Sequence, residues 1–311
     1  MSPDLPAPGP HGGDVERLAA ALGRSPESLL DLSASLNPLA PDVRSVLRDA
    51  LDVVHRYPDD RRATAALAEA IGVDPARLVL TNGGSEAIAL VAQHRPAGWA
   101  DELEFSLYRR HLRTLDPAGP RWRSDPHNPT GRLADPDERA DVRDEAFYLL
   151  ATGRWTRGDE GTTVLGSLTK AWAMPGVRVG YVLAADDEEA DALRALRPRW
   201  SVNGLVCTAL PDLLALAEPA RWRDGIAALR RDLVALLEHH GFRPEPSDAP
   251  YVWVPAAGGL RSDLLDHGIV VRDGTSFGHP HAVRVAVPEA DGLARLADAL
   301  DRLDPPTRSQ P

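Results

Sequence analysis

The alternation of short apolar runs with segments of helical period most constrains what this chain can fold into. Runs at 29–33, 78–80, 162–165, 177–184, 251–254, 269–271 and 283–287 have strand character. Between them, 15–22, 42–54, 63–71, 187–196, 202–217, 221–240, 260–267 and 289–303 carry apolar residues at helical spacing. Strands interleaved with helices predict a layered α/β fold, with the C-terminal third forming a smaller α/β unit. The pattern weakens between 94 and 144. Pro and Gly interrupt 94–127, a helix is expected over 105–115, and Trp122-Arg123-Ser124 makes a poor strand. Asp141 and Arg143 break the run before Asp144.

Within this frame one residue is conspicuous. Lys170 is the only lysine among 311 residues, and the other 34 cationic side chains are Arg. Arg keeps its proton near neutrality, whereas a suitably placed Lys can lose it and offer a neutral amine to an aldehyde. A leftover surface lysine would also be alone, so the neighbours have to decide. A net charge of −11 without a basic block argues against nucleic acid. No apolar run is long enough to span a bilayer, and no signal-peptide pattern opens the chain. The single Cys207 excludes an internal disulfide and a cysteine-based metal site, and no zinc-type His/Cys spacing occurs. These features point to a cytoplasmic protein without a metal.

Several motifs flank the lysine in order. Leu78-Val79-Leu80 leads through Thr81-Asn82-Gly83-Gly84-Ser85-Glu86 into a helix, a geometry that offers free N–H groups to a phosphate. An ordinary βα turn uses the same residues. Asn128-Pro129-Thr130-Gly131, Asp144-Glu145-Ala146-Phe147, Ser167-Leu168-Thr169-Lys170 and Pro175-Gly176-Val177-Arg178-Val179-Gly180-Tyr181 follow. Taken together, the set resembles the fold-type-I pyridoxal-phosphate enzymes of aminotransferase class I/II over nearly the whole chain. His11-Gly12-Gly13-Asp14, Ser33 to Pro38, Arg56-Tyr57-Pro58-Asp59 and Val271 to Phe277 look most like the branch that holds threonine-phosphate decarboxylase and histidinol-phosphate aminotransferase.

The resemblance implies an aspartate-aminotransferase-like architecture: a three-layer α/β/α large domain and a smaller α/β domain. Its divisions would be an arm at 1–34 joining the small domain, a shortened cofactor-binding domain at 35–215 and a small domain at 216–311. It implies pyridoxal 5'-phosphate as cofactor, bound through a Schiff base to Lys170. Asp144 would face the pyridine nitrogen; a helix cap or surface acid is the other reading, which a strand-end Asp-Glu-Ala-Phe before Lys170 disfavours. Asn128 would meet the ring 3'-oxygen, or serve only its Asn-Pro turn. Gly84, Ser85, Ser167, Thr169 and Arg178 would cradle the phosphate. Phe105 would stack on the ring or pack in the core. Tyr57 would reach the cofactor of a partner subunit, implying a homodimer with shared sites. Arg284 would bind the substrate carboxylate, unless it is a solvent-facing strand residue. Arg272, His11 and Asn37 would meet the rest of a small amino substrate, including any phosphate; His11 is also acceptable as a plain loop histidine.

Two departures accompany the resemblance. Phe147 stands where aminotransferases commonly carry Tyr, and Gly166 where relatives often carry Arg. The reaction is left open between decarboxylation, placed first and as in cobalamin side-chain synthesis, and amino transfer. The choice depends on which Cα bond stands perpendicular to the ring, an angle that sequence does not carry. A cofactor-binding protein with little catalysis is the third reading.

Overall fold

The computed structural model describes Gly9 and residues 12–303. Its eleven strands in chain order are β1 Leu30–Leu32, β2 Leu78–Thr81, β3 Ala97–Gly98, β4 Thr114–Leu115, β5 Trp122–Ser124, β6 Val142–Asp144, β7 Thr163–Ser167, β8 Gly180–Leu183, β9 Tyr251–Val254, β10 Ile269–Asp273 and β11 Val283–Ala286. Five form one sheet in the order β2-β8-β7-β6-β5. There β8 runs antiparallel to both neighbours, while β5, β6 and β7 are parallel. A second sheet has the order β1-β10-β11-β9, so the N-terminal β1 closes the edge of a sheet built from the C-terminal third.

The period of two along the strands explains why the five-stranded sheet is covered on both faces. In β2, Leu78 and Leu80 join a core with Leu67, Trp172, Leu210 and Trp222, while Val79 faces the opposite core with Ile88, Tyr108, Trp122 and Leu193. Tyr181 and Val182 of β8 divide in the same way. The four-stranded sheet packs Val252, Val254, Val283 and Val285 on Leu233, Leu237, Leu296 and Leu300 of two helices. The mixed sheets and covering helices are the expected α/β architecture. Among the described residues no helix is long and apolar enough to cross a membrane.

Both strands that looked poor are present, and buried ion pairs are the reason. Arg143 of β6 has no solvent exposure; its guanidinium meets Asp125 at 3.2 Å, Asp159 at 2.9 Å and the Glu138 carbonyl at 3.0 Å. Arg123 of β5 donates to Glu138 at 2.5 Å. A buried charge is tolerated when paired and hydrogen-bonded, and here the partners come from the following loops. Trimming falls farther out: β3 and β4 are two-residue stubs paired with each other, and a single Trp99–Arg121 bridge links that region to the edge. The helix expected over 105–115 is shortened to Leu107–His111, because Thr114 and Leu115 are taken into β4.

Candidate active site

Lys170 sits in the short helix Leu168–Ala171 that directly follows β7, near the ends of β5 and β6. Asn37 fixes this loop from outside. Its N–H donates to the Lys170 carbonyl at 3.0 Å, and its Nδ2 donates to the Ala171 carbonyl at 2.8 Å. Its Oδ1 accepts from Leu39 N–H, so most of this side chain holds backbone. Burial, followed by the positive charges of Arg284, Arg178 and Arg272, brings the Lys170 amine down from 10.5 to about 8, against the opposing pull of Asp144. The amine lies 5.8 Å from the Phe147 ring.

An anion cradle forms where β2 turns into the helix Gly84–His94. The cap residue Gly83 has φ +81° and ψ 168°, a conformation that only glycine adopts readily. A Cβ there would fall 2.3 Å from Arg178 Nη2, so the guanidinium lies directly against the loop. Gly84 and Ser85 open the helix, and their N–H groups have no intrahelical acceptor. A Cβ on Gly180 would collide with Gly83 and Gly84 backbone at 2.6–2.8 Å, which shows how closely β8 presses on the turn. Ser167 Oγ and Thr169 Oγ1 lie 2.9 Å apart, and a Cβ on Gly84 would come within 3.3 Å of Ser167 Cβ. Arg178 holds a positive φ of 59°, rare for a side chain of this size. Backbone donors, two hydroxyls and a guanidinium thus converge on one place. Gly166 also finds its reason here: the Tyr181 ring lies over it, and a Cβ would meet Tyr181 Cζ at 2.1 Å.

Asp144 ends β6 on the same side of the sheet. It accepts from the Tyr108 hydroxyl at 2.8 Å and from Ala146 N–H at 3.0 Å, while burial raises its pKa. Asn128 is buried and accepts from Arg284 Nη1 at 2.6 Å. Arg284 Nη2 donates to the Ser33 carbonyl at 3.2 Å, and its guanidinium stacks 4.6 Å from the Tyr251 ring. Arg284 is therefore buried, not solvent-facing. Arg272 stands directly opposite Arg284 in the β10–β11 register, also buried, with its guanidinium 4.4 Å from the Phe277 ring and 5.9 Å from that of Phe105. Like charges directly opposed across a ladder destabilise it. Burial lowers both guanidinium pKa values, Arg272 further because Arg284 is adjacent, yet a guanidinium keeps its proton in a protein. Among the described residues no carboxylate forms an ion pair with Arg284.

Of the other expected residues, Phe105 is half-buried and meets Tyr108 edge-on at 5.8 Å. Tyr57 is 77% exposed and stacks on Trp200 at 4.5 Å. His11 lies outside the described residues. Sequence reasoning did not single out Tyr108, Glu104, Ser124 or Tyr251. Tyr108 falls one turn beyond Phe105, and that spacing is the only signal it gave.

A sequence model of the family aminotransferase class I and II matches residues 124–300. Histidinol-phosphate aminotransferase 2 of Methylococcus capsulatus is 30% identical, over 95% of this chain and 94% of its own. Threonine-phosphate decarboxylase of Salmonella typhimurium is also 30% identical, over 69% of this chain and 71% of its own. The crystal structure of histidinol-phosphate aminotransferase from Sinorhizobium meliloti, in complex with pyridoxal-5'-phosphate, superposes with a TM-score of 0.80 at 19% identity, covering 96% of both chains.

Proposed function

The chain belongs to the aminotransferase class I and II family of pyridoxal-phosphate enzymes, and from that premise we propose that it acts on a small amino acid carrying a second anionic group, first of all as a threonine-phosphate decarboxylase. The observation that carries this is the pair of buried guanidiniums, Arg272 and Arg284, facing each other across β10 and β11. Directly opposed residues place their side chains on one face only about 5 Å apart at the backbone. A short substrate with a carboxylate and a phosphate close together presents two anions to this pair of guanidiniums.

The residues present suit pyridoxal 5'-phosphate. The Gly83 turn leaves no room for a Cβ beside Arg178, and the donor set there is entirely one for an anion. The lone lysine is half-buried beside that set with its amine brought within reach of neutrality. When bound, the cofactor supplies an aldehyde for the amine and a ring that accepts electron density from the substrate Cα. Lys170 Nζ is the attachment point and afterwards the group that carries a proton to and from the substrate. Asp144 holds a proton at the ring nitrogen, supported by Tyr108. Asn128, itself oriented by Arg284, offers its Nδ2 donors to the ring oxygen. Arg284 orients the substrate carboxylate, and its grip decides which Cα bond is exposed to reaction.

The five-stranded sheet then carries the cofactor and the four-stranded sheet the substrate anions, which supports a division near 35–215 and 216–311 with β1 of the preceding segment joining the smaller unit. Exposed Tyr57, with exposed Leu51, Val54 and Trp200, supports a homodimer in which Tyr57 serves the neighbouring site. A cytoplasmic setting suits the lone, buried, unpaired Cys207. Histidinol-phosphate aminotransferases among the relatives favour amino transfer as the second reading. Incubation of the holoprotein with threonine phosphate should release carbon dioxide and aminopropanol phosphate. Amino transfer to a 2-oxo acid with no carbon dioxide would replace the first reading by the second. Cofactor retained with neither activity would leave a binding protein.

A further inference from the structure

Backbone strain collects in one part of the molecule. Among the described residues three non-glycine side chains hold a positive φ: Ala173 at 47°, Arg178 at 59° and Trp200 at 59°. Ala173 and Arg178 lie in the loop after Lys170, and Trp200 lies in the connection leading to the helix Gly204–Ala215. A left-handed conformation is unfavourable for an L side chain and persists only where the surroundings over-determine it. The proposed cradle depends on the second of these residues, because Arg178 lays its guanidinium against the Gly83 turn.

One side chain fixes that strained torsion from outside the loop. Asn203 Nδ2 donates to the Val177 carbonyl at 2.7 Å. The angle φ of Arg178 is rotation about its N–Cα bond, and the planar peptide unit that turns with it carries the Val177 carbonyl. Holding that oxygen therefore holds φ of Arg178. Beyond Arg178, the Val179 carbonyl accepts from Leu168 N–H at 3.1 Å and β8 begins at Gly180, so the chain is anchored on both sides of the strained residue.

Asn203 is itself firmly seated. Its Oδ1 accepts from Val206 N–H at 2.9 Å, capping the helix, and its carbonyl accepts from Cys207 N–H at 3.1 Å. Its neighbour Val202 is buried in the core that holds Met174 and Val179. Arg197, at the start of the connection, pairs with Asp60 at 2.8 Å. The partners demand this orientation of the amide, an N–H for the oxygen and a carbonyl for the nitrogen. The cap alone would be served as well by Ser or Asp, but neither would donate to Val177 from this position. We propose that Asn203 is a positioning residue for the cofactor phosphate: by holding the Val177 carbonyl, it locks Arg178 in the left-handed conformation that aims its guanidinium into the cradle. Without this donor Arg178 relaxes toward an ordinary negative φ, and its guanidinium leaves the Gly83 turn.

The inference rests on the proposed cofactor, and the experiment separates the two. Apoprotein is titrated with pyridoxal phosphate and, separately, with pyridoxal, which lacks the phosphate; binding is read from quenching of tryptophan fluorescence. Asn203→Ser keeps a helix cap and removes the donor. It should lower affinity for pyridoxal phosphate about three- to tenfold, the worth of one hydrogen bond, and leave that for pyridoxal unchanged. In an Arg178→Met background the same substitution should cost nothing further. Asn203→Asp, which also caps but turns an acceptor toward the carbonyl, should show the same selective loss and decides the matter if the serine variant does not fold. Equal losses for both ligands, or no loss for either, would overturn the proposal, because support of the fold alone does not distinguish a ligand with a phosphate from one without. A loss that persists undiminished beside Arg178→Met would overturn it as well. Failure of the wild type to bind pyridoxal phosphate in preference to pyridoxal would instead remove the proposed cradle and cofactor, and the inference with them.

Discussion

Arg284→Gln tests whether the cationic surroundings of Lys170 keep its amine available. At pH 7 an amine with a pKa of about 8 is about one-tenth neutral, whereas at 10.5 it is about 0.03% neutral, a difference of roughly 300-fold. Burial is the largest cause of the lowering and Arg284 the largest of the three charges, so removing Arg284 should return a minor part of it. An increase of roughly half to one pH unit in the Lys170 pKa follows, which slows attachment of added cofactor at pH 7 about three- to tenfold. The sign is fixed: the amine is charged below its pKa, so the loss grows as pH falls and vanishes above about pH 10. The assay is stopped-flow absorbance of apoprotein mixed with pyridoxal phosphate across pH 6.5–10. Arg284 also orients Asn128 at 2.6 Å, and a variant that acted only by misplacing Asn128 would be slow at every pH. A rate profile with the wild-type midpoint, or a loss that persists at pH 10, would refute the electrostatic argument.

Gly83→Ala should weaken cofactor binding at least about tenfold, since the added methyl meets Arg178 Nη2 at 2.3 Å and φ +81° disfavours any side chain. A fluorescence titration with wild-type affinity would show that the cradle does not hold the phosphate. Tyr57→Ala should lower cofactor affinity in the wild-type assembly, and sedimentation should give a dimer; a monomer with full affinity would show that Tyr57 serves no second site.

The residues whose roles are local were legible in the sequence. Lys170 stood out by its rarity, and the Gly83-Gly84 turn by its place between an apolar strand and a helix. Arg284 was marked by its charge within an apolar run, although only the structure shows it buried between Asn128, Ser33 and Tyr251. The strands β5 and β6 were poorly legible because propensity counts Arg123 and Arg143 against them, and nothing in a strand's own residues announces partners on loops at 125, 138 and 159. Tyr108 and Glu104 were missed for a similar reason. On their own segment they look like a helical core residue and a surface acid, and they gain meaning only where β5 and β6 bring Ser124 and Asp144 alongside.

The segment Ser33 to Asn37 has a mechanical consequence. At one end its carbonyl accepts from Arg284, and at the other its N–H donates to the carbonyl of Lys170. Five residues span at most about 17 Å even when fully extended. The segment acts as a tether of limited length between Arg284, the proposed carboxylate binder, and Lys170, the proposed Schiff-base residue. A pull on Arg284 by an incoming anion would reach the lysine backbone through two hydrogen bonds and the covalent chain between them. Chain length caps their separation, and lengthening this segment by one residue should detune the site without touching either side chain.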